Sequence, residues 1–429
     1  MTGGRSGRWA VGLVGGAVAL SLLVSACSTN SNNAGKNTTQ GTTDASSDSA
    51  SSASSSPSAS ADNSASTTPK PTPKPVPPAP RLSVLPASGA TDVRPAIAAK
   101  VTVAHGTLRD VSLLSSSGAH IKLRVSADKR TVTTAQELGY DRTYTWSGRA
   151  VGAEGRTVRV AGAFHTVAPA TVLHASVNIG DGSRVGVGAP IIITFGGHVT
   201  DRAAAEKALT VRTSVPTIGS WAWLPDDGGQ SRVHWRPERY WKAGTKVGVS
   251  AKFFGVSYGG GVYGEEDVTS HFSIGRAQIT KADVRSYRLV IYRDGKKLFD
   301  FPASYGLASD PNRNTHSGVH IVMEKFPVKY MTNLAYGYKN LPEKWAVRIS
   351  NNGEFIHEND GTDGVQGSAN VTHGCVNLNE TNALAYYKSV LYGDPVEVTG
   401  SPIKLSASDG DNYDWTVPWA TWKTMSALG

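Results

Sequence analysis

The order of apolar and polar positions divides the chain before any single residue is considered. Between about 82 and 168, short alternating runs such as AKVTVA, IKLRVS, RTYTWSG and TVRVAG are separated by clusters of Gly, Asp, Asn and Ser. Alternation with period two marks half-buried strands, and turn clusters at this spacing mark a sandwich. From about 169 to 275 the pattern recurs in PIIITF, ALTVRT, SRVHWRP, TKVGVSAKF and HFSIG. A third β-rich stretch begins near 276, where SYRLVIYRDGKKLFDFPAS reads as two strands around Asp294-Gly295, a strong hairpin signal. Further strands are predicted at SGVHIVMEK, KWAVRIS and GEFIHEN. One helix is predicted in NETNALAYYKSVLYG: Asn379 caps it, Ala383, Leu384, Tyr387, Val390 and Leu391 repeat at helical spacing, and Gly393 stops it.

The first two stretches echo each other. Gly89…Val93-Arg94-Pro95 precedes one strand as Gly182…Val185…Pro190 precedes another. The prediction is a mainly β protein, with two tandem immunoglobulin-like sandwiches (82–168 and 169–275) ahead of a β-rich domain at 276–400. Trp146, Trp221, Trp223 and Trp235 are expected in cores or between domains. The extension 401–429, with Trp415, Trp419 and Trp422, is expected to pack back on a folded surface.

Before position 82 the composition changes. Arg5 and Arg8, an apolar run from Trp9 to Val24 and small residues up to Ala26 read as a secretory signal over 1–26. Val24-Ser25-Ala26-Cys27 resembles a bacterial lipobox, which implies cleavage before Cys27 and lipidation of its thiol; an uncleaved N-terminal anchor is the alternative. Residues 27–81, rich in Ser, Thr, Ala and Pro, read as a stalk too polar to bury a core. The expected location is therefore outside the cytoplasm, lipid-anchored to the outer face of the membrane, with the stalk lifting the folded part off it. The net charge is +9, but the Lys and Arg are scattered without interleaved aromatics, so no nucleic-acid surface is expected. Neither a phosphate-binding Gly loop nor a calcium loop is present, so no cofactor is expected.

There are two cysteines, and with Cys27 lipidated the other has no disulfide partner. Cys375 lies in VTHGCVNL, on a strand-to-helix passage. It can be read as a buried hydrophobe, as a zinc ligand with His357 and His373, or as a nucleophile. No CxxC, HExxH or acidic third-ligand pattern accompanies it, which argues against metal. A free thiol has a pKa near 8.5, and an adjacent histidine or helix N-terminus lowers it. Both devices are at hand: His357 and His373 as neighbours, and the helix just downstream. Gly374 permits a tight turn that aims the N–H groups of Gly374 and Cys375 at one point, as an oxyanion hole requires. His316 and His320 lie on a strand that would face the same cleft.

The segment IHENDGTDGVQGSANVTHGCVNL resembles the L,D-transpeptidase signature: a histidine, a gap of about fifteen residues, then Ser/Thr-His-Gly-Cys, a hydrophobic residue and Asn or Arg. His357, Thr372, His373, Gly374, Cys375, Val376 and Asn377 occupy those places. The resemblance implies Cys375 as nucleophile and His357 as general base and later acid. It implies His373 as a shaping residue, and Gly374 with Cys375 as oxyanion donors. VMEKFPVKYMTN and LAYGY are similar to the family's lid, which places Met331, Tyr336 and Tyr338 beside substrate, with Thr372, Asn370 and Asn377 on the other wall. The implied reaction joins two peptidoglycan tetrapeptide stems, donor and acceptor, by a 3→3 cross-link through a thioester, releasing D-Ala. Carbapenem-type β-lactams would acylate the same thiol, and a monomer is expected. The sequence departs from the pattern at Glu358-Asn359-Asp360, three polar groups beside the base that either raise its pKa or point into solvent, and at Thr315-His316, where Thr-Pro is common. The lid between Met331 and Trp345 also looks short. A catalytically silent wall-binding scaffold and a sortase-like cysteine transpeptidase are the alternatives. No Thr-Leu-x-Thr-Cys strand precedes the thiol, which weighs against the latter.

Overall fold

The computed structural model describes residues 74–429; the expected signal segment, Cys27 and most of the stalk lie outside the described residues. Among the described residues strands dominate, and the three α-helices are short: Arg202–Lys207, Glu380–Ser389 and Trp419–Thr424. No helix among the described residues is long and apolar enough to cross a membrane.

The first region stacks a sheet of Arg81–Leu85, Lys100–Ala104, Thr131–Thr134 and Leu123–Val125 on one of Thr107–Ser115, Thr143–Val151 and Thr157–His165. Alternate side chains of both sheets, among them Val101, Leu113, Val132, Trp146 and Phe164, close one apolar core. The second region repeats the plan around Ile191, Ile193, Phe195, Trp223, Trp235 and Phe272. All four tryptophans expected in cores or interfaces are buried.

Beyond 276 two sheets pack around a separate core. One runs in the order Lys296–Pro302, Arg288–Arg293, Gln278–Asp283, Pro395–Thr399, Gly318–Ile321; the other runs Glu324–Asn333, Tyr338–Arg348, Phe355–Glu358, Val376–Leu378. Asp294 and Gly295 form the expected hairpin turn, both with positive φ. Asn379 caps the helix Glu380–Ser389 by accepting the N–H of Asn382 at 2.9 Å. That helix ends at Ser389, before Gly393. With φ +79° and almost no room between its backbone and Ala189, Gly393 serves instead as a docking point on the second region. There Gly186 and Gly188 donate N–H bonds of 2.7 and 2.8 Å to the carbonyls of Tyr392 and Gly393.

The extension after 401 packs back as its tryptophans predicted. Arg236, buried in the second region, has its guanidinium over the rings of Trp415, Trp419 and Trp422 at 4.8, 5.2 and 4.7 Å. Burial lowers the Arg236 pKa to about 10, and Asp414 opposes that shift. Its Nη2 donates to the Val417 carbonyl at 2.8 Å, and beside it His234 Nδ1 meets Asp414 at 3.0 Å, both residues buried.

Candidate active site

Two parallel strands make the site. Phe355–Glu358 pairs with Val376–Leu378 so that Ile356 faces Val376 and His357 faces Asn377. Cys375 is the residue just before that second strand, so a long sequence gap becomes one strand spacing. A parallel pair needs a crossover, and the loop from 359 to 375 supplies it.

The turn ahead of the thiol is pinned from several sides. Thr372 donates its hydroxyl to the Cys375 carbonyl at 2.6 Å and accepts the Gly374 N–H at 3.3 Å. Thr315 donates to the Gly374 carbonyl at 2.8 Å and accepts the Gly306 N–H at 2.9 Å. Gly374 has φ +109°, a conformation that a side chain rarely tolerates. Arg313 donates from Nε to the Thr372 carbonyl at 3.1 Å and from Nη2 to Val371.

The half-buried Cys375 thiol sits between the Gly353 carbonyl, 3.8 Å from Sγ, and the His357 imidazole. His357 is 3% exposed. Its Nδ1 lies 2.7 Å from the Glu358 carbonyl and 3.1 Å from Glu343 Oε2, which leaves Nε2 for the thiol. Burial alone would lower the imidazole's pKa. The thiol and the Glu343 carboxylate more than offset this and raise it to about 10.

The expected acidic neighbours of the base divide their work differently from the sequence reading. Glu358 contributes its backbone carbonyl, while its carboxylate feels Lys344, Asp360 and Glu343. The carboxylate that meets the imidazole comes from Glu343, which sequence reasoning missed. It is a single buried position in a stretch of exposed ones, LPEK, and only the strand register reveals it.

The lid is a long two-stranded hairpin. Glu324–Asn333 and Tyr338–Arg348 pair from Glu324↔Arg348 out to Asn333↔Tyr338, joined by a single turn at Leu334–Tyr336. Its tip rests on His373: the rings of Tyr336 and Tyr338 lie 4.5 and 5.7 Å from the imidazole. His373 stays exposed, and desolvation by its surroundings together with nearby Arg313 lowers its pKa. Two cavities meet at the thiol under this hairpin. One, of about 480 Å³, is lined by residues including Asn314, His316, Lys329, Arg348 and Gly353; the other, about 200 Å³, by residues including Glu343, His357, Asn359, Thr372 and Asn377. Met331, Tyr338, His373 and Cys375 line both.

Asn370 stands apart from the other expected residues. Its Oδ1 accepts the Tyr305 N–H at 3.0 Å and its Nδ2 donates to Val284 at 2.9 Å, so it braces the loop against the core. Asn377 lines the smaller cavity, with its Oδ1 buried and unpartnered. His316 reaches the larger cavity, and its Nδ1 lies 2.9 Å from Asp409 of the extension. His320 is fully buried, bonded through Nε2 to the His316 carbonyl at 2.8 Å. Behind the thiol, burial raises the Glu354 carboxyl to about 7, against the bonds it accepts from the His316 N–H (2.7 Å) and Ser350 Oγ (2.9 Å).

A family model for the L,D-transpeptidase catalytic domain matches residues 277–398, and one for a bacterial Ig domain matches 90–257. L,D-transpeptidase 5 of Mycobacterium tuberculosis is 51% identical over 82% of this chain and 78% of its own length. L,D-transpeptidase 2 of the same species is 36% identical over 81% and 85%. Among solved structures, L,D-transpeptidase 3 of M. tuberculosis with a faropenem-derived adduct is 28% identical, covering 52% of this chain and 97% of that one at a TM-score of 0.43. An LD transpeptidase in complex with imipenem is 33% identical, covering 52% and 97% at a TM-score of 0.44. The chain is thus an acyltransferase-type enzyme with an Ig-like region ahead of its catalytic domain. It belongs to the L,D-transpeptidase family, whose members act on the cell wall outside the cytoplasm.

Proposed function

We propose that the protein forms 3→3 cross-links between peptidoglycan stems through a cysteine thioester. The observation that carries this reading is the Cys375 thiol against the buried His357 imidazole, at the point where two cavities meet under one lid. Two approaches to one thiol suit a reaction with a donor and an acceptor.

The thiolate attacks the carbonyl carbon between the third and fourth residues of a tetrapeptide stem. The N–H groups of Cys375 and Gly374 receive the developing oxyanion; the Gly374 N–H makes only a 3.3 Å bond to Thr372, one that a charged acceptor would readily outcompete. The imidazolium of His357 gives its proton to the departing nitrogen, D-Ala leaves, and the acyl group stays on sulfur. The side-chain amine of a second stem's diamino acid then attacks the thioester while the neutral imidazole takes its proton, and the thiolate is expelled. The lid, resting on His373, limits water so that amine outcompetes hydroxide. Tyr336, Tyr338, Met331, Thr372 and Asn377 would contact or frame the stem. β-Lactams of the carbapenem type would acylate Cys375, in keeping with the imipenem and faropenem complexes of the related enzymes. A lipid on Cys27, a stalk to about 81, sandwiches over 82–168 and 169–275 and a catalytic domain over 276–400 complete the reading, with a monomer held at the membrane surface.

The test is product analysis by mass spectrometry after incubation with disaccharide-tetrapeptide. A dimer lacking one D-Ala is expected, absent with Cys375→Ala. Unchanged monomer with an intact thiol would overturn the reading.

A further inference from the structure

We propose that Glu343, carried on the lid, is a positioning residue for the base: its carboxylate grips His357 at Nδ1 and holds the ring as an imidazolium beside the thiol. This rests on the roles assigned above to His357 and Cys375.

The geometry is specific. The Nδ1 proton goes to the Glu358 carbonyl at 2.7 Å, and Glu343 Oε2 lies 3.1 Å from the same nitrogen, at ion-pair distance. The carbonyl alone suffices to fix the tautomer, with the proton on Nδ1 and Nε2 open to sulfur. A neutral carbonyl does little to choose between imidazole and imidazolium, whereas a carboxylate at that distance, screened from water, favours the cation strongly. Glu343 is 6% exposed while its neighbours Pro342 and Lys344 are exposed, so the strand turns this one side chain inward. Its other oxygen accepts from Asn359 Nδ2 at 3.4 Å, which completes a clamp between the lid and the crossover loop.

The other charged and titratable groups packed around this pair are few. The Cys375 thiol faces the imidazole from the strand side. The Glu358 carboxylate and the Tyr338 hydroxyl also feel Glu343, and the His373 imidazole lines the same cavity. Lys344, the nearest cation along the strand, is engaged by Glu380 at 3.3 Å and raises no competing pair with Glu343. Because Glu343 belongs to Tyr338–Arg348, the lid takes part in the proton chemistry as well as in shielding it from water.

A carboxylate stabilises the charged ring, so removing it lowers the pH at which the imidazolium loses its proton. It also moves the pair from thiolate–imidazolium toward thiol–imidazole. Glu343→Gln keeps the size and an acceptor oxygen and removes only the charge.

The test is a 15N NMR pH titration of the His357 ring in the full-length chain. In the wild type the midpoint is expected well above the ordinary 6.5 of histidine. In Glu343→Gln it is expected to fall by at least one pH unit, a tenfold change in the acid constant, with Nδ1 still the protonated nitrogen in the neutral ring. Glu154→Gln, an exposed charge in the first sandwich, is expected to leave the midpoint in place. A wild-type midpoint below 7 would overturn the proposal whatever the variant does, as would an unmoved midpoint in folded Glu343→Gln. The titration needs no turnover, so failure to cross-link stems would sink the reading of the function and leave this result standing.

Discussion

At the residue scale, Thr372 shows how much of the site is held by single hydroxyls. It donates to the Cys375 carbonyl and accepts from the Gly374 N–H while buried behind the turn. Valine keeps the shape and loses both bonds, leaving a buried carbonyl unpaired at a cost of about 1–3 kcal/mol. Thr372→Val is therefore expected to slow acylation of Cys375 at least tenfold, and Thr372→Ser to restore most of it, as read by β-lactam acylation kinetics. Glu354 offers a pH test. Its carboxyl titrates at about 7 in the fold, above the ordinary 4.5, so the fold favours the neutral form. That contribution to stability is present below about 4.5 and is lost as pH rises through 7. Melting temperature is expected to fall more steeply between pH 4.5 and 7 in the wild type than in Glu354→Gln; parallel curves would contradict the assignment. Cys375, His357 and the turn between Thr372 and Cys375 were legible in the sequence because they follow one another in a fixed local pattern. Glu343 and Glu354 were not. They reach the site through strand register and a loop return, and nothing in LPEK or NNGEF distinguishes a buried carboxylate from an exposed one.

At the element scale, the lid hairpin is the part whose strands the sequence showed only at their ends, in VMEK and KWAVRIS. Pro327 and Pro342 interrupt its strands, and Asn340 and Trp345 adopt φ near +50°, so strict alternation is lost and the pattern looks like loop. It is nonetheless paired along most of its length, because the partner strand supplies the hydrogen bonds that local propensity does not. Val328, Tyr330, Leu334 and Leu341 remain exposed on it, and of these Tyr330 and Leu341 line the two cavities. Replacing residues 334–337 by a two-residue turn would lift the tip from His373. The expected result is acyl-enzyme that forms at a similar rate but partitions toward water, with tripeptide rising severalfold over dimer in the product mixture. An unchanged ratio would show that the tip does not exclude water. The helix after Cys375, by contrast, was readable in outline because its cap and its apolar repeat are local.

At the scale of the whole molecule, the extension after 401 ties the second sandwich to the catalytic domain. Trp422 is fully buried, with Nε1 donating to Ser220 at 2.9 Å, and Arg236 stacks against it. Asp409 at the other end reaches His316. Trp422→Ala is expected to cost about 3–5 kcal/mol in chemical denaturation, the usual range for removing a buried tryptophan, and to loosen the contact between the two regions. Gly186 is a second test of the same contact: any side chain there meets the backbone of Gly393 and Asp394. The sequence announced the tail through its tryptophans. Its partners, Arg236 and His234, were hidden inside a strand, RVHWRP, that reads as ordinary core, because long-range pairing leaves no local trace.

All of these effects converge on one sulfur atom, and intact-protein mass spectrometry examines it most directly. The full-length chain, mixed with tetrapeptide stem whose diamino-acid side-chain amine is acetylated and quenched in acid within the first turnover, is predicted to carry the stem minus D-Ala on Cys375, and Cys375→Ala to carry nothing. A stem that loses D-Ala while Cys375 stays free, or an adduct that persists in Cys375→Ala, would contradict the account.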